Sequence, residues 1–216
     1  MLAINEGILH MSAELANMQL PPTITVSGQT YNTKALLSAK QIRKRVSNLG
    51  AELADHYSDR GSVHALTVMN GALHFASDLR RSMQRANPDL PMTSDQVRVS
   101  SYTGTRTSGV IRTQSPPSID VEGRHVLLIE DIYDTGLTLS WLAGYIAARK
   151  PASLEVAVAF DKDKPHQIPE VLGDAAIHAA FKIPDAFVVG YGLDLDQQYR
   201  DLEGVYELLP ATSEAP

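Results

Sequence analysis

The sequence VLLIEDIYDTGLT, at residues 126–138, is the strongest structural signal in the chain. Its first four residues are apolar and predict a buried strand, which is followed by two adjacent acids, Glu130 and Asp131. A third acid, Asp134, begins an Asp-Thr-Gly turn that leads into a helical pattern. In an open parallel sheet, ligands bind outside the carboxyl ends of the strands, where main-chain amides and helix N-termini face anions. The stretch therefore predicts amides for a phosphate and carboxylates for hydroxyls or a divalent cation, which suits a sugar phosphate.

A purely structural role is the competing interpretation of these acids. Asp134 could cap the following helix, and Glu130 and Asp131 could be the solvated end of a strand. Adjacent side chains alternate across a strand, so both acids reach one cleft only where the strand ends or bulges. The ordered string from strand to turn is longer than a helix cap requires, and this favours a binding site.

Strand and helix patterns alternate between residues 63 and 160, which predicts an α/β fold with a mainly parallel central sheet flanked by helices. We expect an N-terminal helical extension over residues 1–22 and a single domain over residues 23–216. Its core would span about residues 36–180, and a small lid would come from residues 23–35 and 181–210. The expected strands lie at residues 23–26, near Tyr31, and at 63–69, 97–101, 110–113, 154–160, 177–181, 187–191 and 205–208; the expected helices lie at 38–57, 72–85 and 137–149.

Composition excludes several classes of function. The 216 residues carry a net charge of -6, so no general basic surface exists for nucleic acid. No run of eighteen apolar residues and no leader pattern occurs, which predicts a cytoplasmic protein with no membrane contact. The chain has no cysteine, and its seven histidines show no metal-ligand spacing, so we expect them to be structural or surface residues.

Residues 129–138, IEDIYDTGLT, resemble the motif with which type I phosphoribosyltransferases bind phosphoribosyl pyrophosphate (PRPP), in the form typical of the hypoxanthine-guanine branch. The resemblance extends over roughly residues 23–210 and implies the type I phosphoribosyltransferase fold, in which the lid is called a hood. It implies that Glu130 and Asp131 hold the ribose hydroxyls, directly or through a metal ion. The ribose 5′-phosphate would be bound by the turn and helix start, namely Asp134, Thr135, Gly136, Leu137 and Thr138.

A second set of residues resembles the part of the family that handles pyrophosphate. Met69-Asn70-Gly71-Ala72 resembles the pyrophosphate loop, which implies a cis peptide at Met69–Asn70, although many relatives have a basic residue at the position of Asn70. Ser101 and Tyr102 begin a stretch that looks like the mobile catalytic loop and would cover the pyrophosphate. Asp194, in the same block as the purine-binding residues, would act at a metal ion bound to pyrophosphate, and Arg200 would contact pyrophosphate itself.

A third set resembles the family's purine site. Lys162 stands where the family has a lysine that contacts the purine 6-oxo group, with Lys164 two residues away as the alternative. A lysine donates to a carbonyl but pairs poorly with an amino group, which favours a 6-oxopurine over adenine. Phe187 would stack on the purine ring and Val188 would offer main-chain groups to the base edge. Asp134 would take or hold the purine N7 proton.

The resemblance thus implies a Mg²⁺-dependent enzyme of purine salvage, which converts PRPP and hypoxanthine or guanine into IMP or GMP and pyrophosphate. It also implies a homodimer or homotetramer. Two alternatives remain open on the sequence alone. One is a regulator of the same fold that binds nucleotides with little catalysis, and the other is a phosphoribosyltransferase for another base, such as xanthine, adenine or a pyrimidine.

Overall fold

The computed structural model describes residues 20–101, 111–115, 120–166 and 176–211. The expected N-terminal helix lies almost entirely outside these ranges, as do Tyr102 and most of the expected catalytic loop. The described chain divides into two compact units, a larger one formed by Arg45–Asp185 and a smaller one formed by residues 20–44 and 186–211. No helix in the described ranges combines the length and the apolar character needed to cross a bilayer.

The larger unit is built on a six-stranded sheet with the order β5-β4-β3-β6-β7-β8. All neighbouring strands pair in parallel except the edge strand β5, which is antiparallel to β4. This arrangement confirms the predicted α/β fold. The strands are β3 (Val63–Met69), β4 (Met92–Ser101), β5 (Ile111–Ser115), β6 (His125–Tyr133), β7 (Ser153–Lys162) and β8 (Ile177–Ile183), and the helices are α1 (Ala39–His56, which begins in the smaller unit), α2 (Leu73–Ala86) and α3 (Leu137–Ala147).

Burial explains why the central strands form where they do. Strands β3, β6 and β7 read as nearly continuous apolar runs and are buried along most of their length, as expected for parallel strands covered on both faces. Phe75, Leu79 and Met83 recur at helical spacing on α2 and are fully buried. Leu139, Leu142 and Ile146 do the same on α3. These residues give the sheet a packed core and leave its strand ends to carry polar residues.

Sheet register brings the predicted motifs to one edge. Thr67 of β3 pairs with Ile129 of β6, and Glu130 of β6 pairs with Val158 of β7. Because the strands are parallel, the residues that follow each of them emerge side by side. The loop after β3, the acids of β6 and the lysine-containing end of β7 therefore lie at the same carboxyl edge.

The smaller unit contains a four-stranded antiparallel sheet with the order β1-β2-β10-β9. Its strands are β1 (Thr23–Val26), β2 (Gln29–Leu37), β9 (Val188–Val189) and β10 (Val205–Pro210). Strand β9 is shorter than the five residues expected at 187–191. The reason is conformational, since Gly190 and Tyr191 have φ angles of 100° and 49°, which end an extended strand.

A buried ion network lies at the opposite, amino-terminal edge of the larger unit. Glu155 is 6% exposed. Its Oε1 accepts hydrogen bonds from Arg60 at 2.6 Å and His56 at 2.8 Å, and its Oε2 accepts one from His178 at 2.8 Å. The imidazole and carboxylate atoms lie within 4.8 Å of one another, a spacing compatible with a metal ion. Because the Arg60 guanidinium already compensates the charge of the carboxylate, we interpret the group as a structural ion network.

Candidate active site

Two carboxylates lie near the carboxyl end of β6, in the middle of the sheet. Glu130 is 6% exposed, and its Oε1 accepts a hydrogen bond from the Asp131 amide at 3.2 Å. Asp131 Oδ1 in turn accepts one from the Ile132 amide at 2.8 Å. Burial, followed by the neighbouring Asp131 carboxylate, raises the pKa of Glu130 well above its ordinary value. Two negative charges on Glu130 and Asp131 are therefore unfavourable unless a ligand compensates them.

The second oxygen of Glu130 shows what the pair can bind. Oε2 is buried and accepts no hydrogen bond from any residue within the described ranges. Leaving such an oxygen unpaired is costly, so the site favours a ligand that brings positive charge or hydroxyl hydrogens. Carboxylate oxygens are preferred ligands of Mg²⁺, and sugar hydroxyls donate to the same atoms. The donor set therefore fits ribose hydroxyls and a divalent cation.

The turn after β6 presents main-chain amides. Gly136 has a φ of 86°, in the left-handed region that favours glycine, and it is the N-cap residue of α3. Thr135 Oγ1 accepts a long hydrogen bond from the Leu137 amide at 3.4 Å. The first turn of a helix has amides with no partner inside the helix, and the helix dipole adds positive potential there. The turn is therefore a suitable phosphate cradle, next to the two acids.

The loop after β3 packs against the Asp131 carboxylate. The peptide Met69–Asn70 is cis, which confirms the expectation from the family resemblance. Gly71 is buried, and a Cβ built on it would overlap the Asp131 carboxylate. The side chain of Asn70 accepts a hydrogen bond from Arg98 of β4 at 2.6 Å. The sequence did not point to Arg98. This cation lies beside a loop that has Asn70 where many relatives have a basic residue.

Substitution of Gly71 by alanine tests this close packing. The added methyl group would displace the Asp131 carboxylate. We therefore expect kcat/KM for PRPP, the substrate that the family resemblance implies, to fall by at least about 10-fold, as for the loss of one hydrogen bond to a charged group. Steady-state kinetics with varied PRPP measure the effect. Gly50→Ala is the matched control, because its methyl group would overlap Ser82 on α2 instead. The control should lower the thermal midpoint and leave kcat/KM for PRPP unchanged; equal values of kcat/KM for the two variants would contradict the prediction.

Lysines from the end of β7 surround Asp134. Lys162 Nζ donates to Asp134 Oδ2 at 3.1 Å and lies 3.4 Å from Asp185 Oδ1. Lys164 Nζ forms an ion pair with Asp134 Oδ1 and donates to Asp185 Oδ1 at 2.9 Å. We call these four residues the lysine–aspartate cluster. Both candidate lysines thus reach Asp134, and Asp185 is a member that the sequence reading did not identify.

A histidine fixes the main chain of the same turn. His166 Nδ1 donates to the Asp134 carbonyl at 2.6 Å, and Nε2 contacts Asp161 Oδ1 at 2.7 Å. The imidazole also stacks on Tyr133, with ring centroids 3.9 Å apart. Hydrogen bonds and stacking together restrict the backbone that carries Asp134. The spacing of histidines in the sequence gave no sign of this role.

Four other predicted residues belong to the smaller unit. Phe187 is 51% exposed, so it is not a core aromatic, while Val188 is buried in β9. Arg200 Nη2 lies 2.7 Å from Asp194 Oδ1, and Arg200 Nη1 donates to the Gly192 carbonyl at 2.7 Å. The structure therefore joins Asp194 and Arg200 in one ion pair. Of the loop residues, Ser101 is the last residue of β4, and Tyr102 lies outside the described ranges.

Comparison with known proteins agrees with this geometry. Residues 32–196 match the family described as the phosphoribosyl transferase domain, so fold and site define a phosphoribosyltransferase. A hypoxanthine-guanine phosphoribosyltransferase of Mycobacterium avium is 40% identical over 184 residues, which cover 81% of this chain and 85% of that protein. A hypoxanthine-guanine-xanthine phosphoribosyltransferase of Tritrichomonas foetus is 36% identical over 169 residues, or 78% and 87% of the two chains.

A solved structure is similar as well. The hypoxanthine phosphoribosyl transferase of Trypanosoma cruzi has a TM-score of 0.73 and 35% identity, and the match covers 81% of this chain and 90% of that one. The chain belongs to the hypoxanthine-guanine phosphoribosyltransferase family. It is accordingly an enzyme of the transferase class, which removes the alternative of a regulator without catalysis.

Proposed function

We propose that the protein transfers the 5-phosphoribosyl group of PRPP to a 6-oxopurine, hypoxanthine or guanine or both, in purine salvage. The products are IMP or GMP and pyrophosphate. One observation carries the proposal for this chain: the buried Glu130 oxygen beside Asp131, next to the amide-rich turn at residues 134–138. An anion cradle and paired acids at one strand end suit the phosphate and hydroxyls of an activated ribose.

PRPP would be held by residues on both sides of its ribose. Glu130 and Asp131 would accept hydrogen bonds from the two ribose hydroxyls or bind a divalent cation that these hydroxyls share. The 5′-phosphate would accept hydrogen bonds from the amides of residues 134–138 and from the hydroxyls of Thr135 and Thr138. These contacts fix the sugar, so that the bond to pyrophosphate breaks with the purine already in place.

The leaving pyrophosphate would be bound by main chain and by cations. Amides at Asn70 and Gly71 would donate to its oxygens, and Ser101 and Tyr102 would cover it. Arg200 suits the same group because its planar fork matches phosphate oxygens. Mg²⁺ held at Asp194 would neutralise the negative charge that grows on the pyrophosphate, and any metal ion at Glu130 and Asp131 would be a second one, shared with the ribose hydroxyls.

The purine would be recognised by shape and by hydrogen bonds. Phe187 would stack on the ring, Val188 would offer main-chain groups to the base edge, and Lys162 would donate to the 6-oxo group. Asp134 would accept or hold the proton of N7 as the new glycosidic bond forms. The exposed ring of Phe187 supports a stacking role, because a buried ring could not receive a base.

An activity assay tests the proposal. The protein is incubated with PRPP, Mg²⁺ and one base at a time, namely hypoxanthine, guanine, xanthine, adenine or uracil, and nucleotide is followed by absorbance. We expect nucleotide and equimolar pyrophosphate with hypoxanthine or guanine, and at least about 100-fold lower kcat/KM with adenine, whose amino group cannot accept from a lysine. Absence of nucleotide with every base would disprove the function. Activity with xanthine alone would disprove the choice of base.

Assembly and location complete the proposal. We propose a homodimer or homotetramer, supported by the resemblance to a family whose Trypanosoma cruzi member has been studied for its oligomeric state. Light scattering coupled to size-exclusion chromatography tests this. The cytoplasmic location stays a prediction from the sequence.

A further inference from the structure

Lys164 contacts Asp134, the proposed acceptor of the N7 proton, although the family resemblance assigns the contact with the purine to Lys162. Its ammonium group forms an ion pair with one oxygen of Asp134 and donates to Asp185 at 2.9 Å. Lys162 uses the other oxygen of Asp134, at 3.1 Å. The lysine–aspartate cluster therefore contains two cations and two anions, and each oxygen of Asp134 has its own lysine.

We propose that Lys164 is a positioning residue for Asp134, which it keeps ionised and oriented while Lys162 turns to the purine 6-oxo group. The inference rests on the proposed function, because it assumes that Lys162 binds the base. Each N–H of an ammonium group serves one partner, so a donor that Lys162 gives to the 6-oxo group is no longer available to Asp134. If Lys162 alone held Asp134, its departure would leave the carboxylate without a cation at the moment when its position matters.

Contacts around the cluster show why Lys164 can remain in place. Lys164 donates to Asp185 at 2.9 Å, whereas Lys162 lies 3.4 Å from the same oxygen and is the more weakly held of the two. The ammonium group of Lys164 is thus held by two carboxylates, those of Asp134 and Asp185. The main chain of Asp134 is held separately by His166, and its carboxylate is contacted by the two lysines.

Electrostatics support this division of roles. Burial alone would raise the pKa of Asp134, but hydrogen bonds from Lys164 first and then Lys162 lower it below its ordinary value. A Lys164 hydrogen bond is also the main reason that the pKa of Asp185 is lowered. Asp161, at the end of β7, contacts His166 at 2.7 Å and makes no contact with the Asp134 carboxylate among the described residues.

The arrangement couples proton acceptance to base recognition. With both lysines in contact, Asp134 has little tendency to take a proton. When Lys162 leaves for the 6-oxo group, one hydrogen bond to the carboxylate is lost and its proton affinity rises. Asp134 would therefore become an effective acceptor only once a 6-oxopurine is bound, and Lys164 would limit how far that affinity rises.

Charge-removing and charge-keeping variants of Lys164 test the inference. The full-length protein is prepared as Lys164→Gln and Lys164→Arg, with Lys182→Gln as the matched control, since Lys182 is an exposed lysine of β8 that only approaches Asp163 at 3.9 Å. Carbon-13 NMR of aspartate carboxyl groups, with the Asp134 signal assigned by its loss in Asp134→Asn, follows the titration. Steady-state kinetics with PRPP and hypoxanthine follow turnover.

We expect the Asp134 carboxyl of Lys164→Gln to titrate at a higher pH than in the parent, with the acid limb of the kcat profile moved in the same direction. Turnover should fall about 10- to 100-fold, the loss expected for one hydrogen bond to a charged group, while KM for PRPP stays within about twofold. Lys164→Arg should recover most of the turnover, because a guanidinium can donate to both carboxylates. Lys182→Gln should match the parent in both measurements.

An unchanged Asp134 titration in Lys164→Gln, or a turnover within twofold of the parent, would overturn the inference. A Lys164→Arg variant as inactive as Lys164→Gln would do the same, because the cation would then not be what matters. Failure of the proposed function looks different: the parent itself would form no nucleotide with any base. The NMR titration would still decide whether Lys164 holds Asp134.

Discussion

Asp134→Asn is expected to lower kcat by about 10²–10⁴-fold, which is the usual contribution of a positioned general acid or base. Asparagine has nearly the same shape and can still accept from Lys162, whose ammonium lies 3.1 Å from the carboxylate. It has no negative charge, however, and cannot take up the proton that leaves purine N7. The change should therefore reduce turnover much more than it weakens PRPP binding.

Turnover at saturating PRPP and hypoxanthine measures this effect. Asp163→Asn is the matched control. Asp163 lies between Lys162 and Lys164 in the sequence, and its side chain is 78% exposed. The control should retain the parental turnover. If Asp134→Asn turns over within twofold of the parent, Asp134 has no part in catalysis.

Glu155→Gln is expected to lower the free energy of unfolding by about 3–5 kcal/mol, which is typical when one partner of a buried ion pair is removed. The carboxylate is 6% exposed and accepts hydrogen bonds from Arg60, His56 and His178. A neutral amide leaves the Arg60 charge uncompensated and turns one acceptor into a donor. The protein should still fold at neutral pH and bind PRPP, because this network lies at the edge of the sheet opposite the acids of β6.

The effect should also depend on pH. Burial alone would raise the pKa of Glu155, but hydrogen bonds from His56 and His178 lower it below its ordinary value. A lowered folded pKa means that the stabilisation is present above the unfolded pKa, about 4.3, and is lost as the pH falls through the folded value. Urea unfolding at pH 7 and at acid pH measures both points, and the difference between parent and variant should shrink in acid.

Glu52→Gln is the control for the loss of one negative charge. Glu52 pairs with Arg45 at 2.9 Å, but its side chain is 59% exposed, and such surface pairs contribute about 0–1 kcal/mol. A Glu155→Gln variant no less stable than Glu52→Gln would show that the network contributes no more than an ordinary surface pair.

The local sequence was sufficient to predict a strand whose residues are buried along nearly its whole length. Strand β3 was predicted to span the observed Val63–Met69, because an apolar run is bounded there by turn residues on both sides. Strand β4 was expected only from residue 97 and in fact begins at Met92. Its first half is polar, and it forms because its main chain pairs in register with β3, Val63 opposite Met92. Such a long-range partner leaves no periodic signal in the strand itself.

Glu130, Asp131, Asp134 and Gly136 could be read from the sequence because they lie in one contiguous string. Neighbours that only the fold brings to these residues could not. Arg98 reaches Asn70 because β4 lies beside β3, and the sequence gives no indication of that neighbour. The sequence also could not choose between Lys162 and Lys164. A tight turn, with the Lys164 amide bonded to the Lys162 carbonyl at 2.8 Å, lets both reach Asp134, and the lysine that contacts the purine stays a prediction.

The space between Gly71 and Asp131 admits a hydrogen atom but no methyl group. Redesign toward a different activated sugar would therefore have to change the β3 loop and the β6 acid in a single step, because neither can grow while the other keeps its place. In a set of relatives, we expect these two positions to vary together or not at all.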